Sequence, residues 1–281
     1  MTLLRRCSTL LFLLLFASNG LAATLEVNDL NEPRSITGKW LYMAGDDPGW
    51  ADPELDDGAW PSATVPGPGV GDHPDAQGMV WYRVYIRLGP LIARDPDALG
   101  ALGVVIGSVE SAYEIYAGGR LMGGMGKLPP DPAAHFDQHG IYPIPLDAVD
   151  ADGNLVLALR VWRHEQASSR SELGHFAGPF RVGRIGELRA EAASSAIIPN
   201  VLLAGVYLMV GLYHLFIARR NPAMKEFFWF GWMALILAAY SVETSQWKYT
   251  IDLPFLVHKK IEYVVLYLGP VVMTETFARI A

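Results

Sequence analysis

One stretch limits what this chain can fold into: Ala192 to Ala218 runs without a single Asp, Glu, Lys or Arg. Inside it, Ile197 to Ile217 is a nearly unbroken apolar series. About 20 apolar residues, each adding about 1.5 Å, cross a hydrocarbon layer roughly 30 Å thick. Ser194 or Ser195 is placed to cap the start of a helix, and Pro199 falls in its first turn, where a missing N–H costs nothing. Arg219, Arg220 and Lys225 follow at once, the basic edge expected on a cytoplasmic side. The competing reading is the buried core helix of a soluble protein, against which the length and the abrupt basic edge both argue.

This stretch divides the chain into two populations. Residues 23–191 carry 13 Lys and Arg against 24 Asp and Glu, whereas residues 192–281 carry 7 against 5. The chain is 51% hydrophobic and 18% charged, too apolar for an ordinary soluble protein, yet its 19 prolines and 28 glycines are too many for helices alone. An acidic first half argues against nucleic acid as its partner, since phosphate binding needs clustered Lys and Arg.

Residues 1–22 have the parts of a secretory signal peptide: Arg5 and Arg6, an apolar core from Leu10 to Phe16, and a small-residue cleavage site at Gly20-Leu21-Ala22. An uncleaved anchor is the alternative. The only cysteine, Cys7, lies in this segment. The remainder therefore has no disulfide framework, zinc–thiolate site or cysteine nucleophile.

From about Thr24 to Gly183 short β-branched or aromatic runs alternate with Pro, Gly and Asp. Met79 to Leu88 is the clearest strand. Val80, Tyr82, Val84 and Ile86 fall on one face, and Trp81, Arg83, Tyr85 and Arg87 on the other. Trp40 to Met43, Leu102 to Ile106, Ala112 to Tyr116, Leu121-Met122 and Leu155 to Trp162 follow the same logic, with Gly118-Gly119 as a hairpin turn. The expected fold is an all-β jelly-roll sandwich over residues 23–185, followed by an α-helical membrane domain.

Several of these runs carry a resemblance. Gly38-Lys39-Trp40, Leu55 to Trp60, Val65-Pro66-Gly67 and Val80 to Arg83 form a series that resembles the galactose-binding-like jelly roll opening β-galactosidase-type glycoside hydrolases. Glu110 to Gly123 is similar to that module's Tyr-containing hairpin, with Gly118 standing where those enzymes have Asn. There the module is an accessory, so the resemblance implies sugar binding and no catalytic residues.

On physical grounds Trp60, Tyr82 and Arg83 read as architecture. Asp56-Asp57-Gly58 turns the chain so that Trp60 folds back as a plug, and Arg83 pairs with a carboxylate on its sheet face. Two long polar loops, Met122 to His139 and Arg163 to Phe176, are of the kind that carries function on a rigid sandwich. Trp162, Arg163, His164, Glu165, His135 and His175 are the candidate ligand-binding residues, an aromatic-plus-polar set suited to a sugar or small acid. A solvated loop with scattered histidines is the plain alternative. The His135/His139 spacing lacks companion ligands for a metal. Asp46-Asp47 and Asp56-Asp57 read as turns rather than a calcium loop. No catalytic constellation and no cofactor motif is evident, so the sandwich is expected to be a binder and not an enzyme.

The membrane domain, residues 186–281, is expected to hold three spans at 197–217, 227–245 and 258–278. Phe227 to Val242 opens on aromatic residues that suit a membrane boundary, and Pro254 breaks the chain before the third span. Glu262 and Glu275 lie within that third segment. Intramembrane carboxylates are costly, so Glu275 either faces neighbouring helices or snorkels at the boundary. Gly269-Pro270 predicts a kink. Basic residues tie between the two short loops, so the leader and the large exported domain set the orientation: sandwich outside, Arg219-Arg220 inside.

This arrangement, with His258 to Tyr263 and Tyr267 to Pro270, resembles the bacterial seven-transmembrane receptors with diverse intracellular signalling modules. The resemblance implies a multi-pass protein of the cytoplasmic (inner) membrane with its N-terminal domain periplasmic. It implies a carbohydrate or small-molecule ligand and lipid as partners. It also implies a cytoplasmic signalling enzyme as output, with further spans and any catalytic module beyond residue 281, so that this chain would be an N-terminal fragment or the product of a truncated gene. A membrane-tethered carbohydrate-binding or adhesion module without signalling is the alternative.

Overall fold

The computed structural model describes residues 24–66, 78–109, 111–163 and 176–280. The expected leader lies outside them. The chain divides into two compact units, the first ending at Leu188 and the second beginning at Arg189.

The first unit is mostly antiparallel β-structure with two short helices. Its strands are β1 (Leu25–Val27), β2 (Arg34–Ser35), β3 (Gly38–Ala44), β4 (Ser62–Val65), β5 (Gly78–Leu88), β6 (Leu102–Ile106), β7 (Ser108–Val109), β8 (Ala112–Ala117), β9 (Arg120–Met125), β10 (Gly140–Pro143), β11 (Asn154–Arg163), β12 (Phe176–Ala177) and β13 (Arg181–Arg184). Between β5 and β6 lie α1 (Pro90–Ala93) and α2 (Pro96–Gly100), and β13 leads into α3 (Ile185–Ala192). A large sheet runs β4-β3-β5-β11-β8-β9, with β1 beside β5, and a smaller one runs β10-β6-β13-β2.

The two sheets share one core. Trp40, Tyr82, Val84, Ile86, Leu157 and Leu159 of the large sheet are buried with Val104, Ile106 and Val182 of the small one. Phe180 meets Trp40 edge-on, ring centroids 6.1 Å apart, and the Trp40 indole donates to the Ile36 carbonyl at 2.8 Å. Because side chains alternate along a strand, the other face of β5 carries Trp81, Arg83 and Tyr85, as the sequence pattern requires. That face has its own cluster, Leu41, Trp81 and Ala158, covered by Ala51 and Trp60 of the segment between β3 and β4.

Arg83 fixes this cover in place. It is fully buried, and its Nε donates to Asp57 at 2.6 Å. Its Nη1 donates to the carbonyls of Trp50 and Asp52. The partner carboxylate thus comes from the Asp56-Asp57-Gly58 turn and not from the sheet face. A charge this deep needs acceptors on several sides, and one curled segment supplies them where a flat strand could not.

The β8–β9 hairpin closes through Gly118 (φ 52°) and Gly119 (φ 82°), the left-handed pair that a two-residue turn demands. The first residues of the expected Met122–His139 loop belong to β9, which runs to Met125.

The second unit holds α4 (Ile198–Arg220), α5 (Lys225–Glu243) and α6 (Phe255–Ile280). Ser194 and Ser195 do not cap α4. A π turn, Ala193–Ile197, precedes it, and both hydroxyls donate back to the Glu191 carbonyl, the usual choice for serine inside a continuing helical path. Pro199 does occupy the first turn of α4. Helix α5 stops at Glu243, short of the expected 245, and Trp247 lies in a 3-10 turn, Gln246–Thr250. Pro270 lies inside α6, whose helical hydrogen bonding continues to Ile280.

Two helical stretches, Ile185–Arg220 and Phe255–Ala278, are long and apolar enough to cross a membrane. Large apolar side chains on them stand exposed, Met209 and Tyr267 at 73% among them. Helices α4 and α5 approach at glycines. A Cβ on Gly211 would lie 3.0 Å from the Gly231 carbonyl oxygen, and one on Gly231 would lie 3.1 Å from that of Gly211.

Candidate functional site

The register of the large sheet sets up the site. Strand β11 pairs Arg160 with Trp81 of β5 on one side and with Glu114 of β8 on the other. Glu114 in turn lies opposite Gly124 of β9. One cross-strand row therefore reads Trp81, Arg160, Glu114, Gly124, all on the face away from the shared core.

Arg160 lies between two carboxylates. Its Nε and Nη2 donate to Asp46 at 2.7 and 2.6 Å, and its Nη1 donates to Glu114 Oε2 at 3.0 Å. Glu114 Oε2 also accepts the Tyr116 hydroxyl at 2.7 Å, and the Tyr116 ring lies 5.4 Å from that of Trp81. The Arg160 hydrogen bonds, with its positive charge, hold the Asp46 carboxyl below the usual carboxylate range. Burial, and then the hydrogen bond to Glu114, pushes the Tyr116 phenol up to about 12.

Beside this network the surface opens into a cavity of about 600 Å³ lined by Glu114, Arg160, Leu121, Gly123, Gly124, Lys127, Asp131 and the Pro129–Pro130 pair. Two of the lining positions need glycine: a Cβ at Gly124 would collide with the Tyr113 carbonyl oxygen, and one at Gly123 would lie 2.9 Å from the Tyr142 ring. Apolar walls of Leu and Pro, with carboxylate, guanidinium and ammonium groups at the edges, suit a small ligand with both an apolar face and hydrogen-bonding groups.

Among the described residues, the candidates expected from the sequence, Trp162, Arg163 and His135, do not line this cavity. Trp162 and Arg163 do not line one pocket side by side. Trp162 shares the outward register of Arg160, whereas Arg163 is the next residue of β11, turned to the opposite side and 5% exposed, because neighbours on a strand point to opposite faces. His135 is brought to the same sheet end: its amide donates to the Ser111 carbonyl at 2.7 Å, and the Ser111 amide donates to the Trp162 carbonyl at 3.1 Å. His164, Glu165 and His175 lie outside the described residues. Burial lowers the His139 imidazole pKa. Among the described residues there is no group of three His, Cys, Asp or Glu placed to hold a metal ion.

Glu114 and Arg160 were missed. The usable signal was a charged residue in the middle of an otherwise apolar strand, once in Ala112 to Tyr116 and once in Leu155 to Trp162. Lys127 and Asp131 do fall within the polar loop singled out from the sequence.

No protein-family model matches the chain, and no curated protein matches it. Solved structures do. A β-glucuronidase from Bacteroides uniformis aligns at 18% identity and a TM-score of 0.41, over 54% of this chain and 17% of that one. A glycosyl hydrolase family 2 member from Bacteroides cellulosilyticus DSM 14838 aligns at 16% identity and a TM-score of 0.39, over 54% of this chain and 20% of that one. A Bifidobacterium dentium β-glucuronidase complexed with coumarin-3-O-glucuronide aligns at 18% identity and 0.36, over 51% and 22%. The chain thus spans about a fifth of the length of these enzymes.

Proposed function

We propose that the β-unit binds a carbohydrate or similar small polar molecule and that the protein is a membrane receptor, with a jelly-roll head on the exported side and helices that pass the signal to a cytoplasmic output module or partner. The observation that carries the binding reading is the Glu114–Arg160 pair in the lining of an open cavity that also includes Gly123 and Gly124. Polar groups fixed by neighbours on adjacent strands hold their positions before a ligand arrives, so little ordering entropy is lost on binding. Leu121 and the Pro129–Pro130 pair offer an apolar surface to the C–H face of a sugar ring, while Glu114 and Lys127 offer an acceptor and a donor to its hydroxyls.

The membrane reading is supported by the two long apolar helical stretches and by the exposed apolar side chains of α4 and α6. In this reading the β-unit carries no catalysis of its own. Signalling requires a ligand that binds two conformations of the receptor with different affinity.

The test of the binding reading is saturation-transfer NMR on the detergent-purified chain with glucose, galactose and their β-linked disaccharides. Transfer to the sugar protons, lost in Glu114→Gln/Lys127→Gln, is the expected result. No transfer from any of them, or the same transfer from the double variant, overturns it. For the membrane part, a reporter fused after Lys225 should be active only on the cytoplasmic side. Activity in the exported compartment contradicts the proposed orientation.

A further inference from the structure

We propose that the turn between α4 and α5 holds an anionic phospholipid, its phosphate on Arg219 and Lys225 and an acyl chain along Trp229 and Trp232. The inference rests on the reading that these helices lie in a bilayer, and it adds to that reading a defined lipid site.

Three observations point to it. A groove of about 500 Å³ lies at this end of the helix pair, lined by Leu215, Arg219, Lys225, Phe228, Trp229 and Trp232 among others. Its two cations are exposed, and among the described residues neither has a hydrogen bond or an ion pair. The neighbouring Arg220 is differently engaged, its guanidinium 5.3 Å from the centroid of the Phe216 ring. The nearest carboxylate in sequence, Glu226, lines a separate cavity with His214, Phe227 and Phe230.

The groove therefore presents two cations without a carboxylate in its lining, and its polarity is graded along the helix. From Lys225 to Trp232 is seven residues, so the charged end and the last indole are separated by about 10 Å of helix. That is the distance from a phosphate into the upper part of an acyl chain, with indoles at the level where their N–H groups can stay wet and their rings dry. Free phosphate would leave the apolar walls uncovered. A zwitterionic headgroup would bring a third cation to a groove with no acid in its lining to receive it. A lipid with net negative charge answers both features.

The experiment uses the full chain in phosphatidylcholine vesicles doped either with dibrominated phosphatidylglycerol or with the same fraction of dibrominated phosphatidylcholine. Bromine quenches tryptophan fluorescence on contact. The expected result is a phosphatidylglycerol excess in quenching, corresponding to roughly tenfold enrichment at the groove. The excess should be abolished in Arg219→Gln/Lys225→Gln and retained in Arg219→Lys/Lys225→Arg, which controls for folding. Equal quenching by the two lipids, or an excess that survives the Gln variant, overturns the lipid site while leaving membrane insertion standing. No quenching by either lipid means the helices are not in the bilayer, and both readings then fall.

Discussion

Arg83 Nε lies 2.6 Å from Asp57 Oδ2, with the two side chains 0% and 9% exposed, and this pair joins the sheet to the segment that covers its outer cluster. The same Asp57 oxygen accepts the Tyr85 hydroxyl at 2.6 Å, and the Arg83 guanidinium lies 5.9 Å from the centroid of the Trp60 ring. Removing one partner leaves the other buried and uncompensated, which costs about 3–5 kcal/mol. Asp57→Ala should therefore lower unfolding stability by that amount in urea titrations followed by tryptophan fluorescence. A loss below about 1 kcal/mol, the size of an exposed pair, would show that the contact contributes little.

Tyr116 gives the outer network a spectroscopic handle. Its folded pKa, raised to about 12, favours the neutral phenol, so its contribution to stability is complete below pH 10 and is lost as pH rises through about 12. Absorbance at alkaline pH should resolve a late-ionising tyrosine that moves toward 10 in Glu114→Ala. The acid limb runs the other way. Asp46 is held below its unfolded value of 3.8, so its contribution is present above that value and fades as pH falls beneath it. Arg160→Met should raise the Asp46 carboxyl and remove that part of the acid dependence.

The hairpin at Gly118-Gly119 predicts unequal substitutions. A Cβ on Gly118 would lie 2.7 Å from Ala148 backbone atoms, whereas one on Gly119 meets Pro53 Cδ at 3.3 Å. Both residues have positive φ, so each alanine carries about 1–2 kcal/mol of backbone strain. Gly118→Ala should cost clearly more than Gly119→Ala in thermal unfolding, because only the first also displaces backbone. Equal losses would place the strain in φ alone.

In the helical unit the Gly211–Gly231 approach predicts that Gly211→Leu separates α4 from α5. A Cβ there would lie 2.7 Å from Leu235 Cδ2 as well as close to the Gly231 carbonyl. Small residues are what allow membrane helices to pack backbone to backbone. Cysteine cross-linking between positions Leu215 and Gly231, where a Cβ on Gly231 would lie 2.8 Å from Leu215 Cγ, should fall sharply in Gly211→Leu and persist in Gly211→Ala at a reduced level.

The strands were legible because burial on both faces leaves long, nearly unbroken apolar runs, as in Met79 to Leu88 and Leu155 to Trp162, with the few charges, Arg83, Arg87 and Arg160, on one alternating face. The long apolar helix at Ile198–Arg220 was legible for the simpler reason that nothing else tolerates so long a stretch without charge. Arg83 was recognised as paired, but its partner was sought on the sheet, since a turn 26 residues earlier cannot be docked from sequence alone. Arg160 and Glu114 are 46 residues apart and meet only through the β8–β11 register. Register depends on which strands are neighbours, which periodicity does not reveal. Trp162 and Arg163 belong to the aromatic-plus-polar set expected beside the 163–176 loop, but strand alternation turns them to opposite faces, which composition does not reveal.

The most direct measurement of the central claim is calorimetric titration of the detergent-purified chain with neutral β-linked disaccharides, comparing the native protein with Glu114→Gln and with Trp162→Ala. The account predicts saturable binding to the native protein, at least tenfold weaker in Glu114→Gln by the scale of one charged hydrogen bond and little changed in Trp162→Ala. Binding that survives Glu114→Gln but disappears in Trp162→Ala would move the site along β11 from Arg160 to Trp162 and contradict it.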